Sequence, residues 1–196
     1  MSVPLIFSFE RRIKMTTNPG KVFERNFKNS IKNRGYYYVR LKDSASSFCN
    51  ATDIKFTPDN PYDCLMYVDG TLFCFELKST KSTSLSFWSE KIGLTNLRAA
   101  NESMIKKHQV LGLKEANDHE GVVAGLVINF RETTNHTYFW GINNFLKFTE
   151  KTTKKTFNEQ DVIENSGIHI PQEIKRVNYD YAIDNLVDMF VGCKVR

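Results

Sequence analysis

The apolar positions of the chain change their spacing several times, and each spacing predicts a type of element. Within 21–32, Phe23, Phe27 and Ile31 lie four residues apart, which is the spacing of one helical face. Gly35 predicts the end of this helix, because glycine readily adopts the left-handed conformation that stops a helix. The same reading predicts strands at 36–41, 64–68, 71–77, 122–130 and 137–142, a polar loop at 79–86, a long amphipathic helix at 94–111 and a closing helix at 179–191. The order of these elements predicts an α/β (α+β) fold.

Length and composition favour a globular protein with one core. The chain has 196 residues, of which 41% are hydrophobic and 25% charged. We predict a basic N-terminal arm at 1–19 and a single domain at 20–196. No apolar run is long enough to cross a bilayer, and the four cysteines show no C-x-x-C spacing, so we expect a cytoplasmic protein that does not act in a membrane.

Positive charge is concentrated in two parts of the sequence. Residues 1–45 contain ten Lys or Arg against three Asp or Glu, although the whole chain carries a net charge of only +5. A second cluster falls in a stretch that we interpret as a loop, and it comprises Lys147, Lys151, Lys154 and Lys155. Such patches are typical of proteins that bind nucleic acid, because each neutralised phosphate releases counterions. Charge alone leaves open the simpler interpretation of a solvated surface.

The predicted hairpin at 64–77 brings acidic residues together. Asp69-Gly70 between two strand-like runs predicts a two-residue turn, and pairing outward from that turn sets Asp63 opposite Glu76. Lys78 follows Glu76 by two positions and therefore lies on the same face of the strand. The opposite face should enter a core, and it carries Phe73, Phe75 and Leu77.

This combination of residues suits phosphodiester hydrolysis. Two opposed carboxylates destabilise a sheet unless a cation lies between them, and hard oxygen ligands are those that Mg²⁺ or Mn²⁺ prefers. Leu77 would add its backbone carbonyl as a third oxygen ligand, and Lys78 would stabilise charge that develops during attack on the phosphate. An E-x-K triplet alone is common on solvated strands, but here the charges interrupt an apolar strand, where they are costly unless they are used.

Pro61-Tyr62-Asp63 followed by Glu76-Leu77-Lys78 resembles the PD-(D/E)xK nuclease signature, and the wider chain resembles the RecU family of Holliday junction resolvases. The resemblance runs from Gly20 onward and covers most of the chain. Further matching segments are Gly20-Lys21-Val22-Phe23-Glu24, Ser79-Thr80-Lys81-Ser82-Thr83-Ser84, His108-Gln109, Tyr138-Phe139-Trp140, Ile170-Pro171 and Tyr179-Asp180-Tyr181-Ala182-Ile183.

The resemblance implies a restriction-endonuclease-like fold, with a central mixed sheet flanked by helices, and a structure-specific endonuclease that uses Mg²⁺ or Mn²⁺. It implies that Asp63 and Glu76 are metal ligands and that Lys78 is the catalytic lysine. Glu24 would be a further carboxylate at the site, or else a solvated helix residue. Gln109 would orient a nucleophile, a metal-bound water or a phosphate. The residues that we expect to contact DNA are Lys21, Arg25, Lys28, Lys32 and Lys81.

The implied substrate is branched DNA such as a four-way junction, cut by a homodimer, and a recombinase is left open as a further partner. Two alternatives stay open: a restriction- or repair-type nuclease with another preference for DNA structure, and a non-catalytic DNA-binding regulator of recombination.

The segment before the second predicted helix differs from the family. It is longer than in the RecU family, so 88–98 is interpreted as an inserted element. Phe87 and Trp88 could stack on exposed bases, although we favour a place in the core. For His108 we favour a polar position on the predicted helix.

Overall fold

The computed structural model describes residues 18–41 and 59–192. Almost all of the predicted N-terminal arm, as well as Cys49 and Cys193, lies outside these ranges, and the prediction of a single domain from residue 20 onward stays a prediction. The helices are α1 (Pro19–Asn33), α2 (Glu90–Thr95), α3 (Leu97–Asn101), α4 (Lys107–Asn117), α5 (Ile142–Lys151), α6 (Glu159–Glu164) and α7 (Ile183–Val191). The strands are β1 (Tyr37–Arg40), β2 (Cys64–Val68), β3 (Thr71–Thr80), β4 (Ser84–Ser86), β5 (Val122–Phe130), β6 (His136–Gly141), β7 (Thr156–Asn158), β8 (Ile168–His169), β9 (Gln172–Lys175) and β10 (Asn178–Tyr181).

Six strands form a central mixed sheet in the order β1-β2-β3-β5-β6-β8. β3 and β5 are parallel, whereas the other neighbouring pairs are antiparallel. One face packs against α1 and α7 and the other against α4 and α5, and each face has its own buried apolar cluster. The predicted α/β fold, a mixed sheet flanked by helices, is therefore confirmed.

The hairpin of β2 and β3 forms at the predicted turn. Asp69 and Gly70 both have positive φ, 45° and 77°, as a type I′ turn requires, and Val68 pairs with Thr71. Phe73, Phe75 and Leu77 enter the apolar cluster under α1 and α7, as predicted.

The prediction of a loop at 79–86 is wrong at both ends, where the structure has strand residues. β3 continues to Thr80 because its parallel pairing with β5 extends to the pair Thr80 and Phe130. Ser84–Ser86 is the short strand β4, which pairs with β7 around a fully buried Leu85. The two partner strands, β5 for β3 and β7 for β4, are both distant in sequence from this segment.

The long helix expected at 94–111 is also wrong, because the segment divides into α2, α3 and α4. The Asn96 side chain accepts a hydrogen bond from the Ala99 N–H and so caps a new helix. The Ser103 hydroxyl lies 2.7 Å from the carbonyl oxygens of both Ala100 and Ile105 and shares its one proton between them, which replaces helical hydrogen bonding. Within the predicted insertion, Trp88 and Ile92 are buried in the core, as is Phe87.

The C-terminal part contains more elements than the sequence indicated. The closing helix begins at Ile183 rather than at 179, because Asn178–Tyr181 pairs with β9 as strand β10. The prediction of a loop is wrong for Lys147 and Lys151, which lie in α5, whose Ile142, Phe145 and Phe148 are buried. Within the described ranges, no helix combines the length and apolarity that crossing a bilayer would need.

Gly125 in β5 gives a test of the packing at the centre of the sheet. A Cβ atom there would lie 2.5 Å from the Trp140 carbonyl oxygen and 2.7 Å from a ring carbon of buried Phe139. Gly125→Ala should therefore lower the free energy of unfolding by about 2 kcal/mol or more, measured by urea denaturation. Gly141→Ala is the matched control, since Gly141 pairs with Gly125 but its added methyl would lie 3.8 Å from Phe139. Equal losses in both variants would contradict this account.

Candidate active site

Glu76 is a buried carboxylate in the middle of β3. Its neighbours Phe75 and Leu77 point into the cluster under α1 and α7, so strand alternation turns Glu76 toward α4. The residue is only 1% exposed. Its Oε1 atom accepts hydrogen bonds from Lys78 Nζ at 2.8 Å and from Gln109 Nε2 at 2.5 Å. The predicted partners Lys78 and Gln109 are thus brought to one oxygen of Glu76.

Asp63 lies immediately before β2 and approaches β3 in a different way from the one predicted. The ladder register ends with Cys64 paired to Phe75. The Asp63 N–H then donates to the Phe75 carbonyl at 3.0 Å, and Asp63 Oδ2 accepts a hydrogen bond from the Leu77 N–H at 2.8 Å. Asp63 is therefore not paired through its backbone with Glu76, and its carboxylate reaches the site by bonding the backbone beyond Glu76.

The carboxylates of Asp63 and Glu76 nevertheless interact electrostatically. Burial raises the pKa of Glu76 to about 7, and the negative charge of Asp63 beside it acts in the same direction, whereas the ammonium of Lys78 opposes the shift. Within the described part of the chain, Glu76 Oε2 is buried and has no hydrogen-bond partner. A buried acceptor without a donor is costly. A proton or a cation between the carboxylates would remove that cost.

A small set of hard oxygen atoms could hold a divalent cation here. The Leu77 carbonyl faces the same side of β3 as its N–H, which binds Asp63, because both groups of a strand residue point to one side. The candidate ligands are the carboxylates of Asp63 and Glu76 and this carbonyl, the oxygen donors that Mg²⁺ and Mn²⁺ accept. Among residues 18–41 and 59–192 there is no group of three or more His, Cys, Asp or Glu side chains that could hold a metal.

Gln109 has its amide oriented by the first turn of α4. Its Oε1 accepts a hydrogen bond from the Lys106 N–H at 2.9 Å, which leaves the amide nitrogen to face Glu76. The neighbouring His108 lies on another side of the helix, where Nδ1 is 3.6 Å from Asp59. The structure therefore separates these adjacent residues, with Gln109 at the site and His108 as a half-buried polar position.

Glu24 pairs with Arg40, whereas the predicted site residues Lys78 and Gln109 contact Glu76. It forms an ion pair with Arg40 at the end of β1. The next residue, Leu41, donates its N–H to the carbonyl of Asp63 at 2.9 Å. Glu24 thus lies against the strand that borders Asp63, and its role at the site stays a prediction. Arg40 is not among the predicted site residues, although a basic residue at the end of a strand next to an acidic hairpin is a signal that the sequence contains.

The basic residues expected to contact DNA are all exposed. Four of them follow one side of α1 at a helical spacing of four and three residues, opposite the buried Phe23, Phe27 and Ile31. Part of this side borders a cavity of about 370 Å³, lined by Lys21, Glu24, Arg25, Lys28, Tyr38 and Arg40. Lys81 is exposed just beyond the end of β3. A polyanion could therefore reach α1 without displacing core residues.

Known proteins share sequence or structure with this chain. It is 35% identical over 180 residues to the SPbeta prophage-derived uncharacterized protein YotM of Bacillus subtilis (strain 168), covering 86% of this chain and 85% of that protein. No protein-family model matches the chain. Among solved structures it is similar to Hjc, a Holliday junction resolvase of Archaeoglobus fulgidus, with a TM-score of 0.47 and 15% identity over 76% of this chain and 95% of that one. A likeness at this level assigns neither a substrate nor catalytic residues.

The raised pKa of Glu76 predicts a pH dependence of stability in the absence of divalent metal. Between about pH 4.5 and 7 the folded protein holds a proton that the unfolded chain has released, so the free energy of unfolding falls as the pH rises through this window. Glu76→Gln mimics the neutral carboxyl and should remove this decline. Relative to the parent, it should gain on the order of 2 to 3 kcal/mol between pH 5 and pH 8.

Chemical denaturation in the presence of a chelator measures this difference. Glu120→Gln, at an exposed position before β5, is the matched control and should follow the parent at every pH. The account of Glu76 would be wrong if the two variants showed the same pH dependence.

Proposed function

The chain belongs to the same family as the prophage-derived protein YotM, and we propose that it is a metal-dependent endonuclease that cleaves branched DNA. One observation carries the proposal: the Glu76 carboxyl is buried beside that of Asp63, with one oxygen bonded to Lys78 and Gln109 and the other without a donor. A strand that needed only to be stable would carry an apolar residue at this position. Strongly shifted buried carboxyl groups are typical of active sites.

Each group of the site has a distinct chemical task in this proposal. Asp63, Glu76 and the Leu77 carbonyl would hold a divalent cation, which when bound lowers the pKa of a water molecule and offsets the negative charge of the phosphate. Lys78 holds its ammonium at Glu76 Oε1 and is partly exposed, so it can also reach a phosphate oxygen. Gln109 fixes the Glu76 carboxylate in one orientation by donating to the same oxygen.

The substrate is inferred from charge and from the motif together. The exposed basic side of α1, with Lys81 near the end of β3, favours phosphate contacts, which position a protein on DNA without reading its sequence. The finer assignment to four-way junctions is supported by the resemblance of the Asp63 to Lys78 segment and the surrounding chain to the RecU family. Two symmetric cuts require two copies of one site, so we propose that the enzyme acts as a homodimer in the cytoplasm.

Cleavage of defined DNA structures tests the proposal. With Mg²⁺ or Mn²⁺, the purified protein should cut a labelled four-way junction faster than a three-way junction or a linear duplex. Glu76→Gln and Lys78→Met should each reduce the rate by roughly 100-fold or more, because the first removes an anionic ligand of the cation and the second removes a cation that stabilises charge in the transition state. Glu120→Gln should retain the parent's rate.

The other outcomes separate the alternatives. Equal cleavage of all three substrates would instead indicate a restriction- or repair-type nuclease. Binding of the junction with no cleavage in either metal would favour a non-catalytic regulator and would overturn the enzymatic proposal. Full activity of Glu76→Gln would show that the site has been assigned to the wrong residues.

DNA binding by α1 gives a second test. Replacing both Lys28 and Lys32 with Gln should weaken junction binding and reduce the salt dependence of affinity, with a slope smaller by roughly 2, because each cation that contacts a phosphate releases about one counterion. The charge-conserving double variant Lys28→Arg, Lys32→Arg should keep the parent's slope. Fluorescence anisotropy in Ca²⁺ over a series of salt concentrations measures both. An unchanged slope in the Gln variant would place the DNA elsewhere on the protein.

A further inference from the structure

Gly112 occupies the interior of α4, where glycine is an unfavourable residue. A helix interior with glycine is about 1 kcal/mol less stable than one with alanine. Gly112 has neither a positive φ nor a position at the end of the helix, so the backbone conformation does not require glycine here. A close approach of another segment is the remaining physical reason for glycine at such a position.

That segment is Pro61, two residues before Asp63. A Cβ atom on Gly112 would lie well under 3 Å from the Pro61 Cβ and 3.0 Å from both its Cα and its carbonyl oxygen. Two of these three atoms belong to the backbone, so rotation of a side chain could not relieve the clash. The absent side chain lets α4 lie directly on the segment that carries Asp63.

The same helix also contacts the other carboxylate. Gln109 precedes Gly112 by three residues, so the two positions share one side of the helix, and Gln109 donates to Glu76 Oε1. Further along α4, Asn117 accepts a hydrogen bond from the Ala124 N–H of β5, which fixes the helix against the sheet. A single helix therefore contacts both Glu76 and the segment that carries Asp63.

We infer that Gly112 is a positioning residue, which sets the distance between Asp63 and Glu76 by allowing α4 to pack on Pro61. The inference rests on the proposed function, in which these two carboxylates hold the cation. Pro61 is at the surface, whereas α4 is anchored by buried Val110 and Leu113. An added methyl group would therefore displace the Pro61 segment, and with it Asp63, more readily than the helix.

The experiment compares Gly112→Ala with Gly192→Ala. Gly192 ends α7 with ordinary helical backbone angles, and a Cβ there would meet nothing within 4 Å. Mn²⁺ affinity of the DNA-free protein is measured by calorimetry, and cleavage of a four-way junction is measured over a range of Mg²⁺ concentrations. Gly112→Ala should weaken Mn²⁺ binding at least about tenfold and lower kcat/KM by roughly 100-fold, since a displacement of about 1 Å has effects of this size. Gly192→Ala should match the parent.

A double-mutant cycle tests whether the contact with Pro61 is the cause. Pro61→Gly removes the Cβ atom that lies nearest to the added methyl group. In that background, Gly112→Ala should cause a clearly smaller loss of Mn²⁺ affinity, because the shortest contact is gone and only the two backbone contacts at 3.0 Å are left. The inference is overturned if the loss persists undiminished there, or if Gly112→Ala lowers only the melting temperature and leaves Mn²⁺ affinity and kcat/KM unchanged.

The two readouts keep this inference separate from the proposed function. A parent protein that binds Mn²⁺ but cuts no DNA would overturn the nuclease proposal, and the affinity ratio would still decide the role of Gly112. A parent that cuts DNA, with Gly112→Ala equal to it in both readouts, would overturn the positioning role alone. A parent that neither binds Mn²⁺ nor cuts DNA would overturn both.

Discussion

Glu76 lies under α4 on one face of a sheet that is covered by helices on both sides, and the cost of burying that acid determines what surrounds it. Two donors, Lys78 and Gln109, converge on one of its oxygens. The other oxygen is left beside Asp63 with no donor from the described part of the chain. An isolated carboxylate in such a place would respond by binding a proton. The raised pKa is that response, and a cation would give the same relief with the carboxylate ionised.

The register of β3 keeps this chemistry apart from the apolar core. Phe73, Phe75 and Leu77 fill the space under α1 and α7, so Glu76 and Lys78 must point to the other face. A slip by one residue would bury Lys78 in the apolar cluster and turn Phe75 toward α4, and for this reason the register is strongly specified. Packing on one face of the strand thus determines the position of the reactive groups on the other.

Local patterns predicted the parts of the fold that depend on neighbours in sequence. The Asp69-Gly70 turn and the apolar positions of α1 need only nearby residues, and both are correct. Apolar spacing alone does not predict the break at Asn96. The Asn96 side chain caps a new helix there, although the apolar spacing continues through it. Local patterns do not predict β4, because its partner strand β7 is about 70 residues away.

The same distinction, between contacts of residues close in sequence and contacts of distant elements, applies to the candidate site. The hairpin made Glu76 and Lys78 predictable as neighbours, but the Asp63 carboxylate reaches the site through the Leu77 N–H, a detail that pairing rules do not contain. Contact between Gln109 and Glu76 depends on where α4 packs, so the spacing of apolar residues does not predict it, whereas the family resemblance does imply a role for Gln109. The placement of Glu24 against Arg40 likewise depends on how α1 crosses β1.

The parallel pairing of β3 with β5 has a consequence for how the site assembles during folding. An antiparallel hairpin can close early, because few residues separate its strands, whereas a parallel pair must first order the long crossover between them. The turn at Asp69-Gly70 can therefore bring Asp63 and Glu76 together while both are still hydrated. The dry environment also requires β5, which pairs with β3, and α4, which covers this face of the sheet. The hairpin alone therefore brings the two acids together, and the elements that bury them, α4 and β5, are distant from it in sequence.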